Sequence, residues 1–127
     1  PYNLSMAMAM ESREKLRGLG YDTYVMAHYG LCTGEELPRL IDENQALIRA
    51  RAEEIRSLIT RPMTGSQIDA AVCAHYQLFT HKPNRALRFE RNICFFVEYL
   101  VDSGLLEVRC RGGVARYCPP SSQTAAQ

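Results

Sequence analysis

No stretch of this sequence approaches the roughly 20 consecutive apolar residues that a membrane-crossing helix requires, and no basic segment followed by an apolar one opens it. These absences argue against a membrane span and against a secretory leader, and a cytoplasmic protein is expected. No C-x-x-C pair occurs either. The five cysteines, Cys32, Cys73, Cys94, Cys110 and Cys118, are odd in number and irregularly spaced. That pattern disfavours a disulfide framework and a zinc knuckle, and leaves free, mostly buried thiols in a reducing compartment as the expectation. Cys110 and Cys118 are the one pair that a hairpin could bring face to face. A strong charge of either sign is missing as well: the net charge is +1, with seven Lys/Arg against nine Asp/Glu in residues 1–60 and eight against five in residues 61–127. A domain that holds DNA by its charge has a stronger basic bias. Only six prolines interrupt a chain that is 46% hydrophobic and 23% charged, the composition of a globular protein. Its 127 residues suffice for one ordinary domain, or a small domain with a helical extension.

The opening PYNLSMAMAM carries no start signal, so the chain is expected to begin inside a larger fold. Met10 to Leu19 follows with Leu16 and Leu19 on one helical face and charge around the rest, closed by Gly18 and Gly20. Tyr21 to Ala27, YDTYVMA, has the β-branched and aromatic content of a short strand. A lone strand leaves its backbone groups unpaired, so its partners are expected to lie outside this sequence. Thr33 and Glu36 have capping-box spacing and open a helix with apolar Leu37, Leu40, Ile41, Leu47, Ile48, Ile55, Leu58 and Ile59. Running to about Thr60, it is expected to span about 26 residues and 39 Å, longer than so small a domain can cover. Arg61-Pro62 stops it.

Thr64 and Gln67 form a second capping box, ahead of a short helix with Ile68, Ala71, Val72 and Tyr76 on its apolar side. After the polar loop THKPN, Asn84 is expected to cap a helix over Arg85 to Ser103 that buries Ala86, Phe89, Ile93, Phe96, Val97 and Leu100 and stops at Gly104. LEVRC and VARYC then flank Arg111-Gly112-Gly113, whose glycines suit a tight hairpin. Three helices and a hairpin, in that order, give a mainly α fold class with a winged-helix-like unit at residues 61–118. Residues 119–127 form a polar tail, expected to be flexible.

The stretch YDTYVMAHYG, the helix before it and the long helix after it resemble the end of the catalytic domain in hydrolases of the metallo-β-lactamase superfamily. There a strand delivers a histidine in a proline-glycine-histidine-glycine loop or a variant, and many members append a small winged-helix-like domain. In this sequence Met26-Ala27 stand where proline-glycine often stands, and Tyr29-Gly30 follow His28. The resemblance implies that residues 1–60 are the terminal helix-strand-helix of an αββα metallo-hydrolase fold, with His28 the last ligand of a zinc site in the intact enzyme. It implies metal-assisted attack of water on an ester, thioester or similar bond. The family's main signature, H-x-H-x-D-H, is absent, and the other histidines, His75 and His81, have poor metal spacing and are expected at the surface. The chain alone is therefore expected to be inactive, to bind zinc only weakly, and to require a missing N-terminal catalytic domain as its partner, with a homodimer as a further option.

The presumed outer face of the last helix carries Arg88, Arg91, Asn92, Phe95, Glu98, Tyr99 and Asp102, with Arg85 nearby. Its basic first half, Arg85, Arg88 and Arg91, could touch phosphates, which keeps a winged-helix DNA-binding regulator with an N-terminal dimerisation arm as the alternative. Its acidic and aromatic second half disfavours nucleic acid, and Phe95 with Tyr99, four apart, forms an expected interaction patch for the catalytic domain or a second subunit. Ser5, Ser12 and Asp22 have no base partner at a recognisable spacing and are assigned capping and turn roles.

Overall fold

The computed structural model describes residues 5–121. Four helices and two antiparallel hairpins follow one another as α1 (Met6–Arg17), β1 (Thr23–Met26), β2 (Gly30–Thr33), α2 (Leu37–Ser57), α3 (Gly65–His75), α4 (Pro83–Asp102), β3 (Glu107–Arg111) and β4 (Val114–Cys118). The fold is mainly helical, as expected. Among the described residues no helix is long and apolar enough to cross a membrane.

Helix α1 begins four residues before the position expected from its leucines. Alternating Met and Ala are good helix formers, and the Ser5 hydroxyl accepts from the Met8 amide, which makes a start where apolar periodicity gives none. The strand at Thr23–Met26 is not alone, contrary to expectation: it pairs with Gly30–Thr33, in the register Tyr24 to Cys32 and Val25 to Leu31. The turn between them is closed by the Tyr29 amide on the Met26 carbonyl at 3.3 Å, and Gly30 takes a φ of 94°, a conformation that favours glycine. The short second strand escaped notice because Gly-Leu-Cys-Thr lacks the aromatic and β-branched run that marks its partner. The β1 strand therefore needs no partner from outside these residues on this edge.

The Thr33–Glu36 capping box forms, with Thr33 Oγ1 accepting from the Glu36 amide at 3.2 Å and the Glu36 carboxylate accepting from the Thr33 amide at 3.0 Å. It closes one turn ahead of α2, whose regular part is 21 residues, about 32 Å rather than 39 Å. The buried positions are Leu37, Ile41, Gln45, Ile48, Ala52 and Ile55. This stripe passes Leu47 by, which is 58% exposed, because spacings of four, four, three, four and three hold one face toward the core and Leu47 lies off it.

Two apolar clusters form along α2. Its first turns share Leu37 and Ile41 with Tyr24 and Cys32 of the hairpin, against Leu16, Met26 and Leu40. Its last turns share Ala52 and Ile55 with Ile59, Met63, Ile68 and Val72, and with Ile93, Val97, Leu100 and Leu106. The Thr64–Gln67 capping box is present as expected and starts α3 beside this larger cluster.

Helix α4 starts at Pro83, with Lys82 rather than Asn84 at the cap position and no side-chain capping bond. Proline at the first helical position has its φ preset and no amide to leave unsatisfied, so the helix starts two residues early. Ile93, Val97 and Leu100 are buried as expected, whereas Ala86 is exposed and Phe89 and Phe96 are half-buried. At the far end, β3 and β4 pair through a turn in which Gly112 and Gly113 have φ of 58° and 76°. This register sets Cys118 opposite Glu107 and Cys110 opposite Ala115, so the two cysteines do not face each other; all five thiols are free, but only Cys32 and Cys118 are buried, while Cys94 and Cys110 are exposed. Met63 also pairs with Tyr117 on β4, amide to carbonyl both ways at 2.9 and 2.8 Å. Of the expected flexible tail, Pro120 is buried and Ser121 is bonded to the Glu107 carboxylate, its amide donating at 3.1 Å. The remainder of that tail lies outside the described residues.

Candidate functional site

His28 occupies the turn of the first hairpin and is exposed. What fixes that turn in space is the anchoring of the strands behind it. The buried Tyr24 ring packs in the smaller cluster, while its hydroxyl donates to the Leu16 carbonyl at 3.4 Å and accepts from the Tyr21 amide at 3.1 Å. Gly34 passes so close to the entry of β1 that its amide donates to the Asp22 carbonyl at 2.8 Å, and a Cβ there would sit 2.3 Å from the Tyr21 carbonyl oxygen. Only glycine fits there without moving the backbone.

A polar clamp that the sequence reading did not find ties α1 to α2. Arg17 bridges Glu14 at 2.9 Å and Asp42 at 2.6 Å, and the buried Gln45 donates to Glu14 at 2.7 Å while accepting from Arg49 at 3.1 Å. The guanidinium and the Gln45 amide hold the Glu14 carboxyl below the usual carboxylate range. Residues far apart in sequence make this clamp, so no local motif announces it.

One imidazole does not make a metal centre. Among the described residues no group of three or more His, Cys, Asp or Glu side chains could hold a metal ion. His75 and His81 are both exposed; His75 stacks edge-on against Tyr76, and His81 lies at the start of α4. The described residues therefore do not fit a zinc site by themselves.

Around the turn, the outward face of the hairpin is apolar. Val25 and Leu31 are cross-strand partners that are 84% and 71% exposed, with Tyr29 beside them at the turn. On α4, Arg85, Arg88 and Arg91 are exposed, whereas Phe95 and Tyr99 are half-buried. Tyr99 packs on the larger cluster and lines a groove of about 420 Å³ with Ser5, Met6, Glu98 and Tyr117. Burial, with Cys94 and Glu98 nearby, pushes the Tyr117 hydroxyl above its ordinary pKa, and burial beside Glu98 does the same to the Cys94 thiol.

No family model matches this chain, and no curated protein matches it. Among solved structures it is similar to a beta-lactamase domain protein from Burkholderia ambifaria, with a TM-score of 0.70 at 21% sequence identity. The match covers 91% of this chain and 33% of that one, so the chain spans about a third of that protein's length. At this identity the likeness is one of fold.

Proposed function

We propose that the chain is the C-terminal part of a metallo-β-lactamase-fold hydrolase, inactive by itself, in which residues 61–118 form a winged-helix-like accessory that packs on the catalytic body or shapes its substrate entrance. The observation that carries this reading is the 0.70 TM-score over nearly the whole chain to a third of a beta-lactamase domain protein. The winged-helix description draws support from the Met63–Tyr117 pairing, which adds a third, one-residue strand to the β3–β4 hairpin behind three helices. Residues 1–60 are assigned to the end of the catalytic domain. Their partner is the rest of that domain, and the exposed Val25–Leu31 face of the hairpin is a surface for it to cover: contiguous apolar area of this kind marks contact sites.

In this reading His28 contributes one imidazole to a zinc site whose other ligands come from outside these residues. Zinc needs three or four ligands, and the described residues supply no such set, so no catalytic step is derived for the chain alone. What the chain contributes is position: the clamp between α1 and α2 and the buried Tyr24 hold the hairpin that carries His28. The test has two parts. Reading the coding frame upstream of Pro1 is expected to reveal an H-x-H-x-D-H motif within the span of a catalytic domain, and a frame without one overturns the assignment. The purified chain is expected to hydrolyse neither β-lactams, esters nor thioesters, and to take up zinc weakly and without fixed stoichiometry. Tight one-to-one uptake that disappears in His28→Ala would show a complete site in the chain and refute the shared one.

A further inference from the structure

We propose that the first half of α4 is a docking surface for single-stranded nucleic acid, gripped through its phosphodiester backbone. Every residue from His81 to Arg88 is exposed, so the start of this helix stands clear of the body, and the buried residues Ile93, Val97 and Leu100 fasten it further on. Four basic side chains, Lys82, Arg85, Arg88 and Arg91, fall in this stretch against the single carboxylate Glu90. Glu90 is close enough to Asp69 of α3 for the two charges to interact, which places it on the flank toward α3.

Several cations elsewhere are neutralised: Arg17 pairs with Glu14 and Asp42, Arg39 with Glu43, and Arg56 with Glu53. Among the described residues no ion pair involves Lys82, Arg85 or Arg88. Beside them opens a hollow of about 830 Å³, lined by His81, Lys82, Asn84, Arg85, Arg88 and Asn92, with the Phe89 ring in its wall. The Arg85 guanidinium stands 5.8 Å from the centre of that ring. Phe79, 78% exposed, precedes His81 by two residues.

These groups match one chemistry. Guanidinium forks fit phosphate oxygens, the Asn84 amide and the Asn92 N–H not given to the Arg88 carbonyl can donate to sugars and base edges, and an exposed ring such as Phe79 accepts stacked bases of any sequence. The basic run is short, however, with about 9 Å of helix rise from Arg85 to Arg91. Farther along the same face come Glu98 and Asp102, and Met6 of α1 and its capping Ser5 line the groove beside them. A duplex that took α4 lengthwise in its major groove would bring those carboxylates against its backbone. A flexible single strand crosses only the basic end. The acidic second half, which weighed against nucleic acid in the sequence, is thus confined to the part of α4 that α1 flanks.

The proposal is tested with the 127-residue chain and a fluorescein-labelled, mixed-sequence single-stranded DNA of about 20 nucleotides, followed by anisotropy from about 50 to 200 mM KCl. Three neutralised phosphates give a slope of about −2 in log affinity against log salt, which is a loss of about 20-fold over that range. The triple variant Lys82→Ala/Arg85→Ala/Arg88→Ala is expected to flatten the slope and lower affinity at least tenfold. Phe79→Ala is expected to weaken binding about fivefold or more with the slope unchanged. Arg39→Ala, which removes an exposed paired cation on α2, is expected to change neither. Each variant's melting curve is recorded, and its substitutions sit at exposed positions. No binding at about 50 mM salt with protein at about 100 µM overturns the proposal, as does a triple variant that keeps the wild-type slope. Tighter binding of the annealed duplex overturns it in favour of a duplex reader, and displacement of the strand by anionic phosphatidylglycerol vesicles in favour of a membrane surface.

Discussion

Gly34→Ala tests whether the hairpin that carries His28 is a part of the fold that can loosen on its own. The added Cβ would lie 2.3 Å from the Tyr21 carbonyl oxygen, and both atoms belong to backbone, so no side chain can swing away to relieve the contact. The strand entry must move instead, which breaks or stretches the 2.8 Å bond from the Gly34 amide to the Asp22 carbonyl. Overpacking costs about 1–3 kcal/mol and one lost hydrogen bond about 0.5–1.5 kcal/mol, so about 2–4 kcal/mol is expected. That cost falls on the smaller cluster of Tyr24, Cys32, Leu37 and Ile41, and not on the larger one. Hydrogen exchange read by mass spectrometry separates them. Amides of β1 and β2 are expected to exchange at least about 30-fold faster, the equivalent of about 2 kcal/mol, while those of α3 and α4 around Val72 and Val97 keep their protection. Two outcomes refute the reasoning: unchanged exchange in the hairpin, or equal acceleration in α3 and α4, which would make the two clusters one cooperative unit.

Leu100→Ala, at a fully buried position of the larger cluster, is expected to cost about 2–5 kcal/mol in urea unfolding, and a loss below about 1 kcal/mol would place Leu100 outside the core. Thr64→Ala removes the hydroxyl that accepts from the Gln67 amide and is expected to cost about 1 kcal/mol by the same measurement. Burial and the charge of Glu90 raise the Asp69 carboxyl above its ordinary value, so its ionised form opposes folding. That cost is full above the raised folded-state value and disappears below the ordinary one. Asp69→Asn is therefore expected to raise the melting temperature at pH 7 and to lose that advantage on acidification through the carboxylate range; the opposite trend would mean a stabilising carboxylate.

Where a segment's own chemistry decides its structure, the sequence was readable. Two capping boxes, the buried Ile68 and Val72 of α3 and Ile93, Val97 and Leu100 of α4, and the paired glycines at 112 and 113 rest on local devices, and each appears where its residues put it. The failures have a common cause in the competition between local signals and tertiary contacts. Gly-Leu-Cys-Thr has no strong strand character, and it is a strand because Cys32 is buried beneath Tyr24 and next to Leu37. Leu47 belongs to an apolar period by sequence, yet Gln45 takes the buried place, since Glu14 and Arg49 satisfy its amide and the stripe does not pass through Leu47. The start of α4 is a different case: two local signals competed there, and Pro83 at the first helical position outweighed Asn84 as a cap.

The candidate site was legible to a lesser degree, for a reason that lies in how sites are built. A histidine at a strand end can be read from sequence, but a metal centre is a convergence of side chains, and the described residues bring no others to His28. The same holds for the surface of α4. Its arginines are visible in the sequence, but the fact that among the described residues none of Lys82, Arg85 and Arg88 has an ion-pair partner while α2 pairs Arg39 and Arg56 within its own turns follows only from the packed arrangement. Glutamates at the spacing that binds Arg39 and Arg56 have no counterpart in the first turns of α4, where the single carboxylate, Glu90, lies near enough to Asp69 for the two charges to interact. Charge that a helix leaves uncompensated costs little while it stays hydrated, so folding does not select against it. Hydrated charge of this kind is open to a partner of opposite sign, and the salt dependence of strand binding measures whether the start of α4 takes one.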